Sequence, residues 1–269
     1  MKISKSKKGS ELLTFGGHLE VLRRMLFRVC GLAACVALFV FCFKEETFKL
    51  LLAPSEWDFV TYRWIERVIR YCGGGFHFEE FHVDLIATEL SSQFMTHVTT
   101  AIYLGLLGAS PYIVYELFRF VSPALYENEK KYSVQVVSVV YSLFIIGILM
   151  SYYVLFPVSF RFLGTYSVAE SVRSTITLDS YISTFVTLSL LMGVVFQLPV
   201  IAFFLAKMGI VNSRMLSTYR RHAFLAILII SAVITPPDIL TLVLVAIPLY
   251  LLYEISIWII RRVEKPKKA

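Results

Sequence analysis

The chain has 269 residues, of which 57% are apolar and only 17% charged, with 22 Phe and 15 Tyr. Soluble domains run nearer about 45–50% apolar and about 25% charged. Here long tracts carry no charge and the charges collect between them, which excludes a soluble enzyme or binding module and marks an all-α polytopic membrane protein. The net charge of +7 is dispersed over segments flanking the apolar tracts, so it reflects topology and not a nucleic-acid-binding stripe.

Residues 1–24 form a polar, amphipathic N-terminal segment, longer and more polar than the start of a cleaved leader. No small-residue cleavage site follows the first apolar run, 25–43, which is therefore expected to be a retained span. Cys30, Cys35, Cys42 and Cys72 have no metal-pair spacing and build no disulfide framework; they read as small packing residues. A long polar segment follows, 44–91. Its centre, WDFVTYRWIERVIRY, carries apolar residues at Trp57, Val60, Trp64, Val68 and Ile69 with charges between, the pattern of an amphipathic helix lying near the membrane interface and ended by the glycines at 73–75.

The second span is expected at 94–117, with Gly105, Gly108 and Pro111, and a loop at 118–132 separates it from the third, 133–159, which ends at Pro157. A fourth covers 180–206, with Pro199 near its far end. Two shorter apolar stretches follow, 222–234 and 239–260, separated by TPPD, and 261–269 is a basic tail. The fifth stretch would be only about 20 Å long against a hydrocarbon core of about 30 Å. It spans if it extends through Arg220 or Arg221 or if the bilayer thins locally; the rival is a re-entrant hairpin. A tight turn at Pro236-Pro237 favours a thin hairpin of two short spans. Of the 26 Lys and Arg, 19 lie in the segments on the side of both ends of this chain. That excess places both termini in the cytoplasm, with 25–260 as one six-helix membrane domain.

Three stretches then carry a resemblance: HLEVLRR (18–24), FVSPALYENEKK (120–131) and VITPPD…AIPLYLLYE (233–254), in that order, with LLAPS at 51–55, FP at 156–157 and QLPV at 197–200. Together they resemble the TatC family, the multispanning receptor component of the twin-arginine protein translocase. The resemblance implies a concave bundle of six helices with the last two short, in a bacterial inner (plasma) membrane. It further implies a cytoplasmic surface that binds signal peptides with two adjacent arginines, and single-span TatA- and TatB-like partners that move folded proteins using the proton-motive force. Self-association and contact with membrane lipid are also expected; catalysis, cofactors, metals and nucleic acid are not.

Individual residues carry two readings each. Glu129 can be a solvated helix-start carboxylate beside Lys130 or Lys131, or a carboxylate facing a guanidinium through paired hydrogen bonds. The resemblance puts the family's signal-binding glutamate there. The family's second acid is expected at the position of Val21; a glutamate, Glu20, stands one residue earlier, about 100° round the helix, and so does not simply substitute. Either the helix rotates or unwinds slightly, or Glu20 reaches round, or Glu127 shares the load; otherwise Glu20 is an exposed acid near Arg23 or Arg24. Leu19 and Arg23 match the family's N-terminal motif, and Phe120 its substrate-contact position. Pro123 shapes the loop, and Pro54 an outer turn. Gln197, where many relatives carry glutamate, is a neutral amide beside a proline kink. Thr235 and Asp238 bracket the outer turn, in the region that docks single-span partners. Glu254 is an intramembrane charge, paired or partner-facing.

A small-solute transporter or channel is the alternative, but it needs charged lining and usually repeat symmetry, and neither is visible. No intramembrane Ser–His pair, Asp pair or H-E-x-x-H supports an enzyme. A purely structural scaffold is the remaining possibility, separable by crosslinking a signal peptide to 120–131.

Overall fold

The computed structural model describes residues 15–71, 80–81, 83–121, 133–167, 169, 175–235 and 238–264, with only the backbone described at 15–18, 117–121, 133–136 and 263. The helices are α1 (Phe15–Cys42), α2 (Lys44–Leu52), α3 (Val60–Tyr71), α4 (Ser92–Val121), α5 (Ser133–Met150), α6 (Phe156–Thr165), α7 (Leu178–Val195), α8 (Leu198–Lys207), α9 (Ser213–Thr218), α10 (Arg220–Ile234) and α11 (Ile239–Val263). Among the described residues, five segments are long and apolar enough to cross a membrane: Leu19–Cys42, Ser92–Glu116, Val137–Thr165, Leu178–Lys207 and Ile239–Arg262. α10 begins at Arg220, as a spanning segment would require, but its 15 residues cover only about 22 Å.

α1 and α4 pack antiparallel along a seam of small residues. A Cβ on Gly105 would lie 2.6 Å from Ala37 Cβ and 2.9 Å from Ala33 O, and one on Gly108 would lie 2.8 Å from Val36 Cγ1. Lipid supplies no hydrophobic drive between helices, so such close approach, rich in dispersion contacts, is what holds them. α5 meets α7 similarly, with Gly147 against the Met192 carbonyl and Gly193 under the Phe144 ring. The main core gathers Leu155, Phe156, Phe160, Tyr181, Ile182, Phe185, Leu188, Met192 and Leu249. α1 instead exposes Leu26, Phe27, Leu38 and Phe39, a surface suited to lipid.

The third span differs from expectation because Pro157 does not end it. A π-helical turn, Ser151–Leu155, joins α5 directly to α6, with Pro157 in the first turn of α6. Proline has no N–H for the carbonyl four residues back, Tyr153 O. Thr61 of α3 donates its hydroxyl to that carbonyl. The same solution recurs at Pro111, which frees Leu107 O; the Ser110 hydroxyl donates to it at 2.6 Å. In hydrocarbon each such acceptor must find a donor within the protein. The fourth span also departs from a single rod, breaking at Phe196–Gln197 between α7 and α8.

Outside the spans, the described residues of 44–91 are folded and fastened to the bundle. Tyr152 OH donates to Leu50 O and Tyr181 OH to Leu51 O, both at 2.8 Å. Tyr62 OH lies 2.8 Å from Pro157 O and 3.1 Å from Pro54 O. Burial pushes the Tyr62 phenol well above its usual pKa, partly offset by Arg161, whose guanidinium stacks on the Tyr62 and Phe81 rings. Strands β1 (Leu85–Ile86) and β2 (Ile176–Thr177) pair in parallel, Leu85 opposite Ile176. This clip between the segments that follow α3 and α6 is a small addition to the all-helical expectation.

Candidate functional site

The end of the bundle where α1 begins and α4 finishes is tied by one ion pair. Arg28 Nη2 of α1 donates to Glu116 Oε2 of α4 at 2.8 Å, and Tyr112 OH donates to Glu116 Oε1 at 2.8 Å. The Glu116 side chain is 4% exposed and Arg28 46% exposed. Both oxygens of this withdrawn carboxylate thus have a hydrogen-bond partner, which offsets the cost of taking it out of water. The expectations for spans two and three gave Glu116 no role. It was legible only as one acid at the edge of an apolar run, and pairing it with Arg28 requires the antiparallel register of α1 on α4.

Beyond this pair α1 extends toward its N-terminus by the turns carrying Leu19, Glu20 and Arg23. Glu20 Oε1 accepts from Arg24 Nε at 3.0 Å, and Arg23 Nη1 lies 3.7 Å from Glu20 Oε2. All three side chains are exposed. Exposed pairs at this helical spacing are worth about 0.3–0.5 kcal/mol. Arg23 also lies over the Phe27 ring at 5.8 Å. Leu19 is exposed. Val21 lies two turns before Arg28 and so on its stripe, with Glu20 about 100° away.

α4 continues to Val121, four residues into the segment 118–132 expected to be a loop. Phe120 lies in the last turn of α4 with only its backbone described, while Pro123, Glu127 and Glu129 lie outside the described residues. The remaining candidates are spread through the molecule. Pro54 is buried in the turn Ala53–Ser55, its carbonyl beside Tyr62 OH. Gln197 sits at the α7–α8 break, where Nε2 donates to Val140 O at 3.1 Å. Its Oε1 is buried with no hydrogen-bond partner among the described residues. Asp238 caps α11 by accepting from Thr241 N at 2.6 Å, and Thr235 donates its hydroxyl to Ser231 O at 2.9 Å.

Glu254 is a paired charge. Arg220 Nη2 donates to Glu254 Oε2 at 2.8 Å, and Arg220 Nε lies 2.8 Å from Oε1, a two-pronged contact between α10 and α11. Around it, Tyr253 OH donates to Leu216 O at 2.7 Å, Arg261 to Ser217 Oγ at 2.9 Å, and Ser213 N to Glu264 Oε1 at 2.8 Å. The α9 segment is thereby pinned to the last turns of α11.

A family model for the Sec-independent protein translocase protein TatC matches residues 17–248. A TatC protein of Blattabacterium from Periplaneta americana is 33% identical over 259 residues, 95% of this chain and 97% of that one. One from Campylobacter jejuni is 32% identical over 251 residues, 93% of this chain and 95% of that one. A crystal structure of the twin-arginine translocase receptor TatC superposes with a TM-score of 0.71 at 28% identity, covering 92% of this chain and all of that one. Matched along nearly its whole length in sequence and in fold, this chain belongs to the TatC family of Sec-independent protein translocase proteins.

Proposed function

We propose that this multi-pass protein of the bacterial inner membrane receives twin-arginine signal peptides at its cytoplasmic end, as the receptor and core subunit of a translocase for folded proteins. It is a translocase component and not an enzyme. Glu129 is the principal carboxylate for the paired guanidinium groups, with Glu20 and Glu127 supplying further negative charge. Arg23 steers these acids, while Phe120 and Leu19 offer apolar contact to the signal and Pro123 holds the loop's shape. The observation that supports this most directly is the Arg28–Glu116 pair, which keeps the helix bearing Glu20 beside the helix leading into 122–132.

In this arrangement both termini are cytoplasmic and α10 is a short sixth span paired with α11. The outer turn with Thr235 and Asp238, together with α10, receives single-span TatA- and TatB-like subunits, which use the proton-motive force. Gln197 keeps the α7–α8 break hydrogen-bonded. Pro54 holds the outer turn, and Glu254 braces the cytoplasmic end through Arg220.

The test is photocrosslinking from positions in 120–131 to a precursor signal peptide in membranes containing the full chain. Replacing the twin arginines by lysines removes the two-pronged geometry and should strongly reduce the crosslink, as should Glu129→Gln. Equal crosslinking of the lysine form would sink the carboxylate-clamp assignment.

A further inference from the structure

α3 has three faces with different surroundings. Thr61 and Tyr62 are buried against the bundle, with Ile65 and Ile69 partly covered on the same side. Val60, Trp64 and Val68 form an adjoining stripe that is 54, 63 and 41% exposed, continued by exposed Trp57 and Tyr71 at the ends. Arg63, Arg67 and Arg70 line the third face, all exposed. Two of these arginines are balanced within the segment, Arg63 by Asp58 at 3.3 Å and Arg70 by Glu66 at 3.9 Å. Trp57 and Trp64, 51 and 63% exposed, are turned away from the protein core. In water that surface is costly, at about 25 cal/mol for each Å².

The level at which α3 attaches says what covers the stripe. Thr61 donates to Tyr153 O and Tyr62 OH to Pro157 O, both carbonyls of the segment Val137–Thr165 that crosses the membrane. The Phe59 ring, at the foot of α3, stacks on Tyr153 at 6.0 Å between centroids. At roughly 1.5 Å per residue, about 20 residues of helix fill a hydrocarbon core of about 30 Å. Counted from Lys131, the last charge before this apolar run, that length ends near Ser151, so the Tyr153 and Pro157 carbonyls that hold α3 lie where hydrocarbon gives way to headgroups. The spanning helix beside it also leaves Tyr153 exposed, so the α3 stripe continues a surface already turned to lipid.

We propose that α3 is an interfacial anchor whose Trp57, Val60, Trp64 and Val68 stripe lies in the acyl–headgroup boundary of the outer leaflet, with Arg63, Arg67 and Arg70 at phospholipid phosphates. Tryptophan favours this layer because its ring is apolar and its N–H can meet water or a headgroup. Arginine pairs with phosphate through parallel hydrogen bonds. The anchor holds the outer segment flat on the membrane and leaves the polar side of that segment facing outward. Nothing in this placement depends on what binds at the opposite end of the bundle.

The full chain carrying Trp258→Phe keeps Trp57 and Trp64 as its only tryptophans. Reconstituted in vesicles of phosphatidylethanolamine and phosphatidylglycerol, it is exposed either to lipids brominated near the headgroup end of the acyl chain or to aqueous iodide. Anchoring gives blue-shifted emission, strong quenching by bromine and weak quenching by iodide, with part of the bromine-sensitive signal lost on Trp64→Ser and the rest on adding Trp57→Ser. Dominant iodide quenching overturns the proposal in favour of a solvated helix. Resistance to both quenchers overturns it in favour of a protein partner or a second copy covering the stripe. Carbene footprinting of the unsubstituted chain with a lipid-soluble diazirine reads the same surface without relying on the variants: label on 57–71 supports the anchor, and its absence overturns it.

Discussion

Removing the Arg28 side chain strands the Glu116 carboxylate. In Arg28→Met the alkyl stem remains while the guanidinium that satisfies Glu116 Oε2 at 2.8 Å is lost. Deleting one partner of a fully buried pair costs about 3–5 kcal/mol, because the other charge is left in a poor solvent. Glu116 is that buried, but Arg28 is 46% exposed, and water partly screens the interaction. The expected loss is therefore about 2–3 kcal/mol, or roughly 5–10 °C in the unfolding midpoint of a chain this size. Arg28→Met/Glu116→Leu removes both charges and should recover most of that loss, since an apolar pair of similar volume is often as stable as the ion pair it replaces. The assay is thermal unfolding of the full chain in lipid nanodiscs, for wild type, both single variants and the double, read as a double-mutant cycle. If Arg28→Met unfolds with the wild type, or the double variant is no better than the singles, the pair is not what ties α1 to α4.

Thr61→Val removes the donor to Tyr153 O and should cost about 1–3 kcal/mol by leaving a buried acceptor unmet. Adding Pro157→Ala supplies a backbone N–H to the same carbonyl, so the double variant should unfold closer to the wild-type temperature. Gly105→Val places a side chain where Ala37 Cβ and Ala33 O lie within 2.9 Å. It should destabilise by about 1–3 kcal/mol and expose α1 to proteolysis, whereas the same change at Gly31, which has nothing within 4 Å, should be mild. Glu254→Gln weakens the Arg220 contact and should lower stability by about 1 kcal/mol, the scale of a half-exposed pair. Replacing each partner by the other, Arg220→Glu with Glu254→Arg, should restore part of it, as measured by the same unfolding assay.

Much of this architecture was legible because hydrocarbon imposes a simple requirement: a long uncharged tract has to be a helix. The tracts near 25–43, 94–117, 180–206 and 239–260 all fall on observed helices, although α1 begins at Phe15, ten residues before the expected start, and the fourth tract is divided between α7 and α8. α3 was legible too, from the spacing of Val60, Trp64 and Val68. The length of the third span was misjudged because Pro157 reads as a stop when its neighbours are unknown. The donor that lets the helix continue, Thr61, lies 92 residues from the carbonyl it serves. Glu116 was missed for a related reason, since its partner Arg28 lies 88 residues away across a helix register that composition does not encode. Glu254 was recognised as a charge that needed pairing or a function, and Arg220 supplies the pairing. The acids Glu127 and Glu129 rest on their motif, since they lie outside the described residues.

The hydroxyl that Thr61 lends to Tyr153 O has a consequence for exchanging parts between relatives. The acceptor freed by Pro157 is met from a neighbouring segment and not, as at Pro111, from within its own helix, so α3 and the span 137–165 form one inheritable unit. A chimera that grafts a foreign 44–91 segment onto this bundle would need to bring its own donor to the same height, or to lose Pro157 with the graft. Swapping the segment and 137–165 together avoids the mismatch, because donor and acceptor then travel as a matched set.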